Sequence, residues 1–227
     1  MKILALDTST EACSAAIFDG EANISRYQLA PREHNNLILP MIEEVLAEGG
    51  YSINQMDAVA FGRGPGSFTG VRIAAGVAQG VAFGADLPVI PVSTLAALSL
   101  AAMGSGVDTV YACIDARMSE VYWAVYRRES EHGVSLTGAE VVCPPEAVIF
   151  PSDSNGIGVG SGWETYETIL SGVIGSRLLK IIPARFPDAQ FIARVASVNY
   201  QQGRVLPAEY ALPVYLRDNV AKKPGQT

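Results

Sequence analysis

Two stretches, one in each half of the chain, carry the same local plan. ILALDTSTEACSAAIF surrounds Asp7, and VYACIDARMSEVYWAVY surrounds Asp115. Each has an apolar strand ending in Asp, a short polar turn, and a second apolar strand at what reads as the same spacing. A strand that is apolar on both faces needs cover on both faces. The pattern therefore predicts a duplicated α/β chain of two lobes, with mixed sheets flanked by helices. One lobe is expected over 1–105 and a smaller one over 106–227. The boundary falls near Gly104 to Val107, where MGSGVD has the composition of a linker.

In the first half, KILALDTS, CSAAIFDG and NISRYQL read as strands, with Asp19-Gly20 as a turn. Leu37, Ile38, Met41, Ile42, Val45 and Leu46 share one helical face over 36–48. The strand DAVAF, the loop GRGPGSFTGVR (62–72) with its helix, the strand PVIPV and a helix over 93–103 follow. Three opening strands suit a meander, and the later alternation calls for right-handed parallel crossovers. The second half adds the strands GIGVGSG and LLKII, helices over 163–170 and 188–202, and the tail PVYLRDNVAKK, extended and then basic. Trp123, Tyr122 and Tyr126 alternate as packed strand residues do.

The glycine loop has two readings. Gly64, Gly66, Ser67 and Thr69 could present backbone N–H groups to an anion at a helix N-terminus, with Arg63 and Arg72 adding positive charge. Alternatively Ser67 or Thr69 caps the helix, Pro65 stiffens the turn, and the glycines supply positive φ. No Lys-Ser/Thr pair follows, so it is not a Walker A loop. Asp7, Thr8 and Ser9 divide in the same way. Asp7 either sits near a metal-bound phosphate or forms the turn at a strand end. The structural reading is favoured in both cases.

The helix beyond the loop carries Gly76, Gly80 and Gly84 at every fourth position. Three interior glycines cost a helix about 2–3 kcal/mol relative to alanine, against a domain stability of roughly 5–15 kcal/mol. A close-packed neighbour has to offset this, either the molecule's own sheet or a second subunit. In the second case the surface comprises Leu37, Met41 and Val45 from the earlier helix. The glycine helix adds Val71, Arg72, Ala75, Gly76, Gln79, Gly80 and Phe83.

Composition narrows the function. The formal charge is −7 with only 17% charged residues, so a basic face that grips nucleic acid unaided is not expected. The 49% hydrophobic content fills a core and leaves apolar surface for a partner. MKILALDTST lacks the h-region of a signal peptide, and VIPVSTLAALSLAAM is too short to span a bilayer. Cys13, Cys113 and Cys143 lie far apart in apolar surroundings with no CxxC, which points to free buried thiols in a reducing cytoplasm. Only His34 and His132 are present, with no HxxxH or HExxH, so no His-based metal site is expected. His34 in PREHN reads as a surface or loop residue. Lys222 and Lys223 read as a solvated tail or as contacts to phosphate.

ILALDTSTEACSAA, PREHN with LPMIEEVL, GRGPGSFTGVRI, IDARMSEVYWA and PVYLRDNVA together resemble the TsaB family. These are subunits of the bacterial machinery that makes threonylcarbamoyladenosine in tRNA. The resemblance spans essentially the whole chain. It implies an ASKHA (actin/hexokinase/Hsp70-like, RNase H-like) fold and a non-catalytic role, with neither catalytic nor metal residues. It also implies a homodimer alone, docking to the catalytic paralogue TsaD, and TsaE joining the assembly. tRNA is met only through the complex, and no cofactor is tightly bound, with ATP or ADP and Mg entering at most in the assembly. An ASKHA phosphate loop wants Asp-x-Gly. Here Ser9 stands in the glycine position, and Asp115-Ala116-Arg117 again lacks one, which weakens nucleotide binding. A stand-alone ATPase or kinase, and a metallopeptidase in keeping with an older glycoprotease label, are the alternatives.

Overall fold

The computed structural model describes residues 1–20, 23–103, 106–151 and 153–217. Linker residues Gly104 and Ser105 and the Lys222–Lys223 pair lie outside them. Strand β1 (Ile3–Asp7) is buried along its whole length. It pairs antiparallel with β2 (Ala12–Phe18), and β2 pairs antiparallel with β3 (Asn23–Leu29). On its other edge β1 runs parallel to β4 (Ala58–Gly64), and β4 parallel to β5 (Val89–Ser93). The order is β3-β2-β1-β4-β5. Helices α1 (His34–Gly49) and α2 (Phe68–Gly84) make the crossovers, and α3 (Thr94–Ala102) follows β5.

The second half repeats this plan. The strands β6 (Thr109–Asp115), β7 (Val121–Arg128), β8 (Val134–Cys143), β9 (Gly156–Val159) and β10 (Leu178–Ile182) form a sheet ordered β10-β9-β6-β7-β8. Strand for strand, it is the topology of the first sheet. Helix α4 (Ser161–Ile174) joins β9 to β10, and α5 (Ala189–Gln201) follows β10. The fold is α/β of the ASKHA type, with two mixed five-stranded sheets flanked by helices.

Three sequence expectations change. β8 is not foreseen, because this edge strand is only half-buried and interrupted by Gly138 at φ 83°. It therefore lacks the apolar run that marks the inner strands. The equal spacing after the two aspartates also fails: Asp7 faces Ser14, but Asp115 faces Val121. The second turn closes one residue sooner. Helix α4 outruns the expected 163–170 at both ends.

Alternation along the strands builds the layers. Leu4 and Leu6 of β1 face α1 and α2, while Ile3 and Ala5 face α3 and α5. The opposite side of α3, with Leu95 and Leu98, packs on Val110, Ala112 and Ile114 of β6. Trp123 and Trp163 close the outer core under α4, with Trp123 stacked on Tyr111 at 6.0 Å. The order is thus α1/α2, first sheet, α3/α5, second sheet, α4. α5 comes from the 106–227 segment yet lies on the first sheet, its Ile192 and Ala193 against Ile3 and Ala5.

A carboxylate from β8 ties the halves together. Glu140, with a side chain only 6% exposed, pairs with Arg63 of β4 at 3.0 Å. It also accepts hydrogen bonds from Ser93 of β5 and Tyr126 of β7. Burial, and then the charge of Glu140, push the Tyr126 phenol well above its usual value. Glu140→Ala strands three polar partners at the lobe junction. We expect it to lower the urea-unfolding free energy by roughly 2–4 kcal/mol, with Glu140→Gln recovering part of the loss.

Candidate functional site

The glycine loop and the Asp7 turn are brought together, but they grip each other. Ser67 N–H donates to the Ser9 carbonyl at 2.7 Å, and Thr8 Oγ1 donates to the Gly70 carbonyl at 2.7 Å. A methyl group on Gly62 would overlap the Asp7 carboxylate, one on Gly66 the Ser9 carbonyl, and one on Gly70 the Thr8 carbonyl. These glycines allow two loops to interlock. Gly64 has φ 100° and approaches the Val214 carbonyl. Ser67 is the helix cap, accepting from Gly70 N–H at 3.0 Å, while Thr69 is exposed. The N–H groups of Ser67, Gly70 and Ser9 all have partners inside the protein. These three groups are thus turned into the protein rather than presented to an anion.

Asp7 is fully buried and forms the strand-end turn. Its carboxylate accepts from Ser9 N–H at 3.1 Å and from Ser9 Oγ at 2.9 Å. Burial pushes its pKa from 3.8 up to about 7, against lowering by the Ser9 hydroxyl and N–H and with a further rise from Asp188. Burial, then the Asp7 charge, push the Cys13 thiol up to about 12, which disfavours the reactive thiolate. Asp115 makes the same i to i+2 turn, accepting from Arg117 N–H at 2.9 Å. It sits at the rim, where Arg117 also bridges to Glu11 of the first half at 3.1 Å.

Between these turns lies a cleft of about 480 Å³, within the range of small-molecule sites. Ser9 to Glu11, Pro65 to Phe68 and Asp115 to Met118 form its walls, and Val214 to Arg217 run along it. His34 is not a surface or loop residue as the sequence suggested. It opens α1, lines this cleft and is 8% exposed, because Ala30 N–H, just upstream, is pinned to the Glu11 carbonyl. Its Nε2 and Thr10 Oγ1 have no hydrogen-bond partner among the described residues. Glu11, Thr10, Tyr215 and Arg217 were missed in the sequence. The one signal was the aromatic-basic segment PVYLRD. Among the described residues, no three His, Cys, Asp or Glu side chains converge as a metal site.

The expected association residues divide. Met41, Val45 and Ala75 belong to the core under α1 and α2, and Val71 is buried beside the cleft. Leu37 and Gln79 are half-buried, and Gln79 Nε2 donates to the Ala208 and Glu209 carbonyls. Arg72, Gly76, Gly80 and Phe83 are exposed, Phe83 at 77%. Cβ atoms added at Gly76, Gly80 and Gly84 would meet nothing within 4 Å. The stripe is therefore not covered by the molecule's own sheet.

The family model described as "TsaD: tRNA N6-adenosine threonylcarbamoyltransferase" matches residues 27–224. The tRNA threonylcarbamoyladenosine biosynthesis protein TsaB of Escherichia coli is 43% identical over 236 residues, covering 100% of both chains. The same-named protein of Haemophilus influenzae is 44% identical, over 100% of this chain and 98% of that one. The chain belongs to the TsaB family. A solved structure titled "YeaZ from Pseudomonas aeruginosa" superposes with a TM-score of 0.88 at 43% identity, over 95% of this chain and 99% of that one. No helix among the described residues is long and apolar enough to cross a membrane.

Asp7 gives this TsaB-family chain a pH signature. Its folded pKa lies above the unfolded 3.8, so folding favours the protonated form. The contribution is intact below about pH 4 and is lost as pH rises through about 7, by on the order of 4 kcal/mol if fully expressed. Asp7→Asn keeps an acceptor for Ser9 and removes the titration. Thermal melts from pH 4 to 8 should show wild type losing stability relative to this variant, and parallel curves would refute the assignment.

Proposed function

We propose that this chain is a non-catalytic subunit of the machinery that transfers a threonylcarbamoyl group to adenosine in tRNA. It acts in the cytoplasm by docking a TsaD-like catalytic paralogue and helping to recruit a TsaE-like ATPase. Its relatives are named for threonylcarbamoyladenosine biosynthesis. The observation that carries the reading is the uncovered face of α2. Gly76, Gly80 and Gly84 leave bare backbone beside exposed Phe83 and Arg72. A helix that accepts this propensity cost on its solvent side gains stability when another helix packs closely on it.

Two copies meeting through this face would form a homodimer with isologous contacts. The paralogue would replace one copy on the same surface, so self-association and docking compete. The interlocked glycine loop supports a role without nucleotide turnover by the chain alone. ATP or ADP with Mg, and tRNA, belong to the assembled complex in this reading.

Gly80→Leu separates association from folding. Its side chain enters open space, and leucine is the better helix former by about 0.5–1 kcal/mol. The melting temperature should therefore hold or rise. Sedimentation should show the variant shifted to monomer, and binding to the TsaD-like paralogue should fall at least tenfold. A dimer and a paralogue complex that both persist would refute the proposal.

A further inference from the structure

Residues 116–119 form a turn closed by Ala116 N–H on the Glu120 carbonyl at 3.0 Å and Glu120 N–H on the Arg117 carbonyl at 3.1 Å. Arg117, Met118 and Ser119 have φ of 60°, 58° and 59°, three consecutive left-handed residues without a glycine among them. L-residues visit this region singly, and runs of it persist only where the surroundings over-determine them. A further restraint comes from Arg217, remote in sequence. Arg217 Nη2 donates to the Ala116 carbonyl at 3.1 Å and to the Arg117 carbonyl at 3.4 Å, and it pairs with Glu120.

The same short segment is anchored on the other half. Val214 N–H donates to the Arg63 carbonyl at the end of β4, at 2.8 Å. The Tyr215 hydroxyl accepts from Arg72 Nε of α2 at 2.8 Å. The Arg72 guanidinium also lies over the Phe68 ring, 3.3 Å from its centre. Residues 214–217 thus cross the mouth of the cleft with one end on α2 and the other on the strained loop. In that loop Arg117 makes the second crossing, to Glu11.

We propose that residues 214–217 are a latch. Arg217 holds the loop in its left-handed form and keeps the two halves closed over the cleft. Through Tyr215 and Arg72 the latch is coupled to the exposed face of α2, so an occupant that reorients Arg72 loosens the cleft. The coupling rests on α2 being a docking face, but the latch itself does not, and both are read on the chain alone.

The test places spin labels at Ala47→Cys in α1 and Thr168→Cys in α4, both exposed, with Cys143→Ser to remove the half-buried native thiol. Distances across the cleft are measured by pulsed electron resonance in the full chain. Arg217→Lys keeps the charge but loses the second nitrogen, Nη1, which lies on Met118 Sδ at 3.7 Å, and the planar head that sets Nη2 among two carbonyls and a carboxylate. It should broaden the distribution towards longer distances and speed amide exchange in residues 116–120 at least tenfold. Arg217→Ala should do so more strongly, and where it fails to fold the lysine variant decides. Arg72→Ala should broaden the distribution in the same direction, less strongly. Unchanged distances and exchange in the Arg217 variants would overturn the latch. An effect in those variants but none in Arg72→Ala would overturn the coupling. Loss of dimerisation in Gly80→Leu has no bearing on either outcome, so the latch and the docking face fail separately.

Discussion

Helix α3 has no solvent side. Apart from partly buried Ala101, every residue from Thr94 to Ala102 is buried. One flank packs on the first sheet and the other on the second. A helix apolar all round is stable in water only when enclosed, so neither sheet can leave without exposing it. α5 holds the equivalent place after β10 and returns to the first sheet. Each half thus ends with a helix that serves the middle layer, and the two halves are bound by exchange of cover rather than by a flat contact. The Glu140 cluster adds a polar tie between the sheets, with one carboxylate contacted from three other strands.

With the inner layers sealed, the interlocking turns set the top of the first sheet. A glycine-rich loop at a helix start presents N–H groups, and in many folds those groups meet phosphate. Here the preceding strand–turn occupies that position. Thr8 and Ser9 carbonyls lie where added methyl groups on Gly70 and Gly66 would be, and Ser67 donates into the same turn. The loop therefore aims α2 rigidly, and the side of α2 that points away from the sheet is the side left bare.

Much of this was legible because buried strands and the α1 stripe leave strong periodic signals. NISRYQL and LLKII match β3 and β10 residue for residue, and the repeated strand ending in Asp foretold the shared topology. β8 was lost because an edge strand with exposed polar positions carries no such signal, although the duplication itself required a third strand there. Periodicity placed Met41, Val45, Val71 and Ala75 on helix faces but could not say which face met the sheet. They proved to be core, and the glycine stripe proved to be the open side. The cleft's Glu11 and Arg217 were not legible, since their pairing depends on chain crossings that no local pattern encodes.

The two aspartate turns show how duplicated geometry diverges. Both accept an N–H from the residue two positions on. Asp7 lies under the interlock, where burial makes the neutral acid competitive. Asp115 lies at the rim, with its carboxylate on an arginine that is 73% exposed. Ion pairs of that kind contribute about 0–1 kcal/mol, too little to hold three left-handed residues that cost roughly 1–3 kcal/mol each. The first turn is therefore held by the fold around it. The second is closed within itself by Glu120 N–H on the Arg117 carbonyl, and it takes a further restraint from Arg217, which donates to its carbonyls from a hundred positions on.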